Sequence, residues 1–254
     1  VYLHPGPTRR RCLRAGVAAC LLGGLRLAGA QEVVRLARLE SVPDQALGGE
    51  LLVQIYRRLN IDVQFVDLPA KRSLIESSEG RVDGEVQRIL AVQDQFHTLI
   101  AVQPSFNSIE PSAFVRRGTA LHVDGWKSLA PYRIGIVRGV GSSERGTQGM
   151  RSVEAVTTME NLMQSLDAGR FDVVVNDSFS GLLVLRRLGL ESKVQVLDPP
   201  LEHIPLYHFL HERHRELVPK VSEVIRGMHA SGELDRLRRD VMETMLATVK
   251  GPHG

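Results

Sequence analysis

Beyond residue 20 the chain contains no cysteine: its two, Cys12 and Cys20, both fall within the first thirty residues. A disulfide framework, a thiolate nucleophile and a cysteine-ligated metal are therefore excluded from the body of the protein. Aromatic residues make up only 5%. No apolar run reaches the roughly 18 residues that a membrane-spanning helix requires, which excludes a multi-span membrane protein. A basic surplus is also missing from the body. The formal +3 arises in the first thirty residues, where Arg9, Arg10, Arg11, Arg14 and Arg26 stand with no acidic residue; the remainder carries 27 basic and 29 acidic side chains. The electrostatic footprint of a phosphate-backbone binder is absent, so no nucleic-acid partner is expected.

What is present suits a globular protein. Of 254 residues, 43% are hydrophobic and 24% charged, enough to bury one or two cores. The first thirty residues have the order of a secretory signal peptide: a positive stretch 8–14, an apolar and small-residue stretch 15–25, then Ala28-Gly29-Ala30 before Gln31. Cleavage is expected after Ala30, which places the mature protein in the periplasm. A buried amphipathic helix is the alternative, and two adjacent glycines with a wholly basic flank argue against it. Thr8-Arg9-Arg10-Arg11-Cys12-Leu13-Arg14 is either a twin-arginine export signal or a chance arginine cluster. Residues 15–19 are too short an apolar run to make Val17-Ala18-Ala19-Cys20 a lipobox.

The mature chain alternates strand and helix signals. Residues 33–39 read as a first strand, 43–49 as a loop, and Leu51, Leu52, Ile55, Tyr56 and Leu59 recur at helical spacing. Strand 62–66, helix 70–79 and strand 82–89 follow, the rhythm of an open parallel sheet. After a strand signal at 112–116 a second unit begins: strand 132–137, a turn at Gly139 and Gly141, and Ser142 and Ser143 where a helix cap belongs. Thr157 and Glu160 have capping-box spacing ahead of Leu162, Met163 and Leu166, strand 171–175 leads to Asp177, and helix 181–188 follows. Strand 204–210 and two helices parted by Ser231-Gly232 complete the chain.

Four stretches carry a resemblance: Ala70-Lys71-Arg72-Ser73-Leu74 with Gly80-Arg81-Val82-Asp83-Gly84; Ile134-Gly135-Ile136-Val137-Arg138-Gly139; residues 166–177, from Leu166-Asp167-Ala168-Gly169-Arg170 to Val175-Asn176-Asp177; and Met228-His229-Ala230-Ser231-Gly232-Glu233-Leu234. In their order and spacing the mature chain resembles the extracytoplasmic solute-binding proteins of family 3, the substrate-binding components of amino-acid ABC importers. The resemblance implies an α/β, two-lobed periplasmic-binding-protein-like fold of type II. Each lobe would be an open, mostly parallel sheet flanked by helices, and two hinge crossovers would join them. Residues 31–116 and 205–254 would form lobe 1 and residues 117–204 lobe 2, with ligand gripped in the cleft beyond the carboxyl ends of strands.

Several residues suit such a cleft. Asp177 matches the family's acidic partner for a ligand ammonium; the competing reading is a helix N-cap. Gly139, Gly141, Ser142 and Ser143 form a turn that the family uses to seat a carboxylate, or else an ordinary glycine turn. Gln95 stands where the amino-acid binders place a carboxylate-clamping Arg, and Arg88 is the substitute candidate, unless it is spent in an ion pair with Glu85 or Asp94. Glu40 falls on the cleft wall of the family. His203, His208, His211 and His214 lack zinc-motif spacing and read as a surface histidine cluster, so no metal is expected. No catalytic residue and no cofactor is expected either.

The function these readings imply is a monomeric periplasmic receptor that captures a small polar solute, an amino acid or a relative, and delivers it to an ABC permease in the inner membrane. Two other classes stay open. One is a dehydratase-like enzyme on the same scaffold, with Glu85 or Glu144 as general acid. The other is a sensory binding protein that docks to a membrane receptor.

Overall fold

The structure, a computed structural model, describes residues 32–249; the leader, its cleavage site and both cysteines lie outside the described residues. Val33–Leu39 forms β1 and Asp62–Leu68 forms β2, joined by α1, Pro43–Arg57. The helix starts at Pro43, whose fixed φ suits a first turn, and so corrects the loop expected over 43–49. Gly48 and Gly49 lie inside α1 because neighbours press on them: a Cβ at Gly48 would sit 2.2 Å from Gln87 Oε1, and one at Gly49 3.1 Å from the Phe65 ring. Then come α2 (Ala70–Ser78), β3 (Gly84–Arg88), β4 (Leu99–Ile109) and β5 (Pro111–Arg116).

The second half repeats the pattern with β6 (Ile134–Val137), α3 (Gly141–Gly146), β7 (Val153–Val156), α4 (Met159–Asp167), β8 (Val173–Asp177), α5 (Ser178–Leu188) and β9 (Val194–Val196). The chain finishes with β10 (Ile204–His211), α6 (Val218–Ala230) and α7 (Glu233–Thr248). Two caps differ from expectation. Ser142 and Ser143 lie within α3 rather than capping it, and α4 is capped by Thr158, whose hydroxyl accepts from Asn161 N at 3.1 Å, one residue later than the Thr157 spacing suggests.

The strands form two five-stranded sheets, ordered β2-β1-β3-β10-β4 and β7-β6-β8-β5-β9. In each, four strands share a direction and one opposes them: β10 runs antiparallel to β3 and β4, and β5 to β8 and β9. The opposing strands are the ones the crossovers deliver. β5 enters directly from β4 of the first sheet through Glu110, and β10 returns from β9 of the second. Both sheets therefore have the same topology, an α/β two-lobed architecture with helices on the sheet faces. β5, read from sequence with lobe 1, hydrogen-bonds in the second sheet, so the sheets part at Glu110.

Packing follows the strand patterns. β8 reads Val173-Val174-Val175 because both its faces are covered: Val174 joins a core with Phe114, Leu162 and Leu166, while Val173 and Val175 join one with Ala113, Ile134 and Leu129. The first sheet packs on α1, α6 and α7 through Leu36, Leu51, Val221 and Leu234. One helix belongs to both lobes. Phe179 and Leu183 of α5 are buried in the first lobe's core, and Val184 and Leu185, on its other side, in the second's.

Candidate functional site

At the carboxyl ends of β1 and β2 in one lobe, and of β6 and β7 in the other, the sheets face each other across a cavity of about 750 Å³. One wall holds Arg38, Glu40, Ser41, Pro43 and Asp67; the other holds Val137, Thr157, Thr158, Met159 and Glu160, with Val184 and Arg187 of α5 closing the side. Parallel pairing of β1 and β2 sets Arg38 opposite Asp67 in register. Their side chains form a two-pronged ion pair, Nε to Oδ1 at 2.6 Å and Nη2 to Oδ2 at 3.0 Å, and the guanidinium lies 4.7 Å from the Phe65 ring centre. The hydrogen bonds from Arg38 hold Asp67 below the usual carboxylate range. On the opposite wall Arg187 pairs with Glu160. Glu40 is exposed to the cavity, and its carboxylate has no hydrogen-bond or ion-pair partner among the described residues. The cavity thus carries three carboxylates against two guanidiniums, with two threonine hydroxyls beside them.

The other expected site residues lie elsewhere. Asp177 caps α5, its Oδ2 accepting from Ser180 N at 2.9 Å, and its Oδ1 accepts from Glu110 N at 3.1 Å on the crossover. Burial pushes its carboxyl up from the usual range. Close by in the first lobe is a second buried carboxyl, Asp44, which accepts from Asn107 Nδ2 at 3.2 Å and from Gln87 Nε2. Asn107 in turn accepts from Arg238 Nε at 2.9 Å. Burial first, and then the charge of Asp177, raise Asp44 well above its ordinary value. Next to this pair, Gln45 Oε1 and Asn176 Nδ2 are buried without a partner among the described residues.

Arg88 is turned toward α2. Its Nε donates to Glu85 Oε2 at 2.8 Å and its Nη2 to Ala70 O at 3.3 Å, while Glu85, wholly buried, also accepts from the Ser73 and Ser77 hydroxyls. The turn at Gly139, where φ is +82°, holds a carboxylate of its own chain: Glu144 Oε1 accepts from Gly139 N at 2.8 Å. Gly141, Ser142 and Ser143 continue into α3, with Ser143 buried. The two glutamates considered as general acids, Glu85 and Glu144, are thus both engaged structurally. Of the seven expected site residues, Glu40 lines the cavity. Sequence reading missed Arg38, Asp67, Glu160 and Arg187. The first pair had a signal, opposite charges in register on neighbouring strands; the second, 27 residues apart, had none.

The histidines do not form a surface cluster. His208 is wholly buried, its Nδ1 on Glu85 O and its Nε2 on the Tyr56 hydroxyl, both at 2.7 Å. His203 lies 3.4 Å from Glu110, linking the two crossovers.

Comparison with known proteins places this geometry. An amino acid ABC transporter substrate-binding protein from Streptococcus pneumoniae, bound to L-arginine, superposes with a TM-score of 0.63 at 14% identity, over 84% of this chain and 96% of the other. The fold is that of the periplasmic binding proteins. A histidine kinase sensor domain with similarity to periplasmic binding proteins matches with a TM-score of 0.63 at 16% identity, over 83% of this chain and 96% of that one. An uncharacterized protein of Shewanella oneidensis is 24% identical over 183 residues, 68% of this chain and 67% of its own length. No family model matches the sequence. In open α/β folds the space beyond the strands' carboxyl ends is where a ligand fits, and that is where the charged cavity lies.

Proposed function

We propose that the protein is a periplasmic receptor that closes on a small, amino-acid-like solute of net positive charge and hands it to an ABC permease in the inner membrane. The observation that carries this reading is the cavity between the lobes, with an ion pair on each wall and Glu40 unpaired. A zwitterion has a group of each sign to exchange with those pairs, and one further cationic group meets the surplus carboxylate. Glu40, Asp67 and Glu160 receive ammonium or guanidinium groups; Arg38, Arg187 and the hydroxyls of Thr157 and Thr158 receive the carboxylate. Asp177 acts at the crossover, and Arg88 and the Gly139 turn support the walls. A ligand that touches both walls binds the closed form better, and shifts the lobes toward it by that difference in affinity.

A thermal-shift series with L-arginine, L-lysine, L-glutamine, L-glutamate and putrescine tests the proposal. At a ligand concentration near 100 Kd the folded state gains about 2.7 kcal/mol, which in a chain of this size raises Tm by roughly 5–10 °C. L-arginine or L-lysine is expected to do so, and Glu40→Gln to weaken that binding by about fivefold or more. Equal stabilisation by L-glutamate would remove the cationic assignment, and no response to any of the five would remove the receptor. The likeness to a kinase sensor domain favours a second reading, solute sensing through a membrane kinase. Stimulation of permease ATP hydrolysis by the loaded protein separates the two, since sensing requires none.

A further inference from the structure

The second lobe carries a different charged surface at the end of its sheet remote from the cavity. Where the amino ends of β6, β7 and β8 meet, a hollow of about 350 Å³ is lined by Arg133, Arg151, Ser152, Glu154, Arg170 and Phe171, among others. Two of its guanidiniums are fixed in place. Arg133 grips Asp172, Nη2 to Oδ1 at 2.7 Å and Nε to Oδ2 at 3.1 Å, and donates to Gly169 O at 3.1 Å. Arg170 pairs with Glu154 and lies 5.7 Å from the Phe171 ring centre.

Outside the lining a third guanidinium, Arg116, donates to Leu166 O at 2.7 Å and Phe171 O at 2.8 Å, close enough for its charge to act on Asp172. It has no carboxylate bonded to it. The fourth, Arg151, has neither hydrogen bond nor ion pair among the described residues, and the Ser152 hydroxyl next to it is also unengaged. Three guanidiniums therefore line the hollow against one lining carboxylate, Glu154, with Arg116 and Asp172 paired off in charge behind them. The surplus is two positive charges, with unspent donors on Arg151 and Ser152 at the rim of the hollow. The carboxylates of Glu154 and Asp172 orient the fixed arginines and leave Arg151 free to turn inward.

We propose that this hollow is a binding site for a phosphate-class oxyanion, anchored by Arg151 with Arg170 and the Ser152 hydroxyl. Guanidinium groups match such an anion with paired, charge-assisted hydrogen bonds. The anion is either free phosphate or the phosphodiester headgroup of a lipid. Because the hollow is open to water and screened, the affinity is modest, a Kd on the order of 1 mM.

The test is a titration of the purified protein with inorganic phosphate, followed by the ³¹P line and by backbone amide shifts. Saturable changes confined to residues 133–134, 151–154 and 170–171 are expected, weakened by about tenfold or more in Arg151→Glu. Arg151 is exposed, so the variant keeps its Tm, and its response to L-arginine in the cavity is unchanged. Co-sedimentation with phosphatidylcholine vesicles, with and without phosphatidylglycerol, distinguishes the sources. Arg151-dependent binding to the anionic vesicles assigns a lipid headgroup; phosphate binding without it assigns a free oxyanion. If neither probe binds, or Arg151→Glu binds both as the parent does, the proposal is overturned.

Discussion

Among single residues, His208 makes the plainest demand on pH. It is wholly buried in the first lobe, where neutral imidazole donates from Nδ1 to the Glu85 carbonyl and accepts the Tyr56 hydroxyl proton at Nε2. Burial lowers its pKa from the ordinary imidazole value of 6.5 to about 4. The unfolded chain therefore binds more protons than the folded one between those values, and stability rises with pH through that window. The full contribution is present above pH 6.5 and is lost as pH falls toward 4, a loss of about 3 kcal/mol at 1.36 kcal/mol per unit. Urea unfolding of the parent and of His208→Gln at pH 7.5 and pH 4.5 checks this. The parent is expected to lose more stability than the variant on acidification, and equal losses would contradict a buried neutral imidazole. Tyr56→Phe, which strips Nε2 of its donor, should cost about 1–3 kcal/mol at neutral pH.

At the level of elements, close packing explains residues that local propensity misreads. Gly181 sits in the first turns of α5, and a Cβ there would lie 2.3 Å from the Phe114 ring of β5. Gly181→Ala should therefore cost about 1–3 kcal/mol of stability in urea, although alanine is the better helix former; a gain would mean that the ring gives way freely. The same logic separates what could be read in the sequence from what could not. β6, β8 and β10 lie inside the sheets and bury most of their side chains, so their apolar runs are legible. The unread strands β4, β7 and β9 are all sheet edges. β7 and β9 are three or four residues long and half exposed. β4 contains Gln103-Pro104, which argues against a strand, but the pairing with β10 is irregular there, between the Val102 and Asn107 registers, where no ladder hydrogen bond is required of a proline. The candidate site was less legible than the fold. Glu40 follows directly from strand β1, whereas the Glu160–Arg187 pair exists only once α4 and α5 pack side by side. For Arg88 the sequence left an anion clamp and an ion pair with Glu85 or Asp94 both open; it does not reveal that α2 places Ser73 and Ser77 around Glu85, completing the buried polar cluster that decides for the Glu85 pair.

For the whole molecule, the junction of the lobes buries two carboxyls close to one another. Asp44 begins α1 in the first lobe and Asp177 ends β8 in the second; each is buried, and the charge of Asp177 acts on Asp44. The groups around them are Asn107, Gln87 and Arg238 on one side, Ser180 and Glu110 on the other, with His203 beside Glu110. Among the described residues one cation, Arg238, thus serves two acids, and the buried atoms Gln45 Oε1 and Asn176 Nδ2 have no partner. An opening of the lobes that hydrated these groups would relieve this cost, so the closed arrangement would be held back electrostatically until a proton or a cationic ligand compensates. Both carboxyls have raised pKa values when buried, so the closed form binds more protons than the open one and gains population as pH falls. The unliganded protein should therefore have a smaller radius of gyration by X-ray scattering at pH 5 than at pH 8, while saturating ligand should bring both samples to the compact value. The decisive comparison is a variant in which Asp44→Asn and Asp177→Asn are combined. Asparagine still caps α5, and without the two acids the pH-dependent part of the compaction should disappear. If the variant still contracts on acidification as the parent does, the two buried carboxyls do not govern closure.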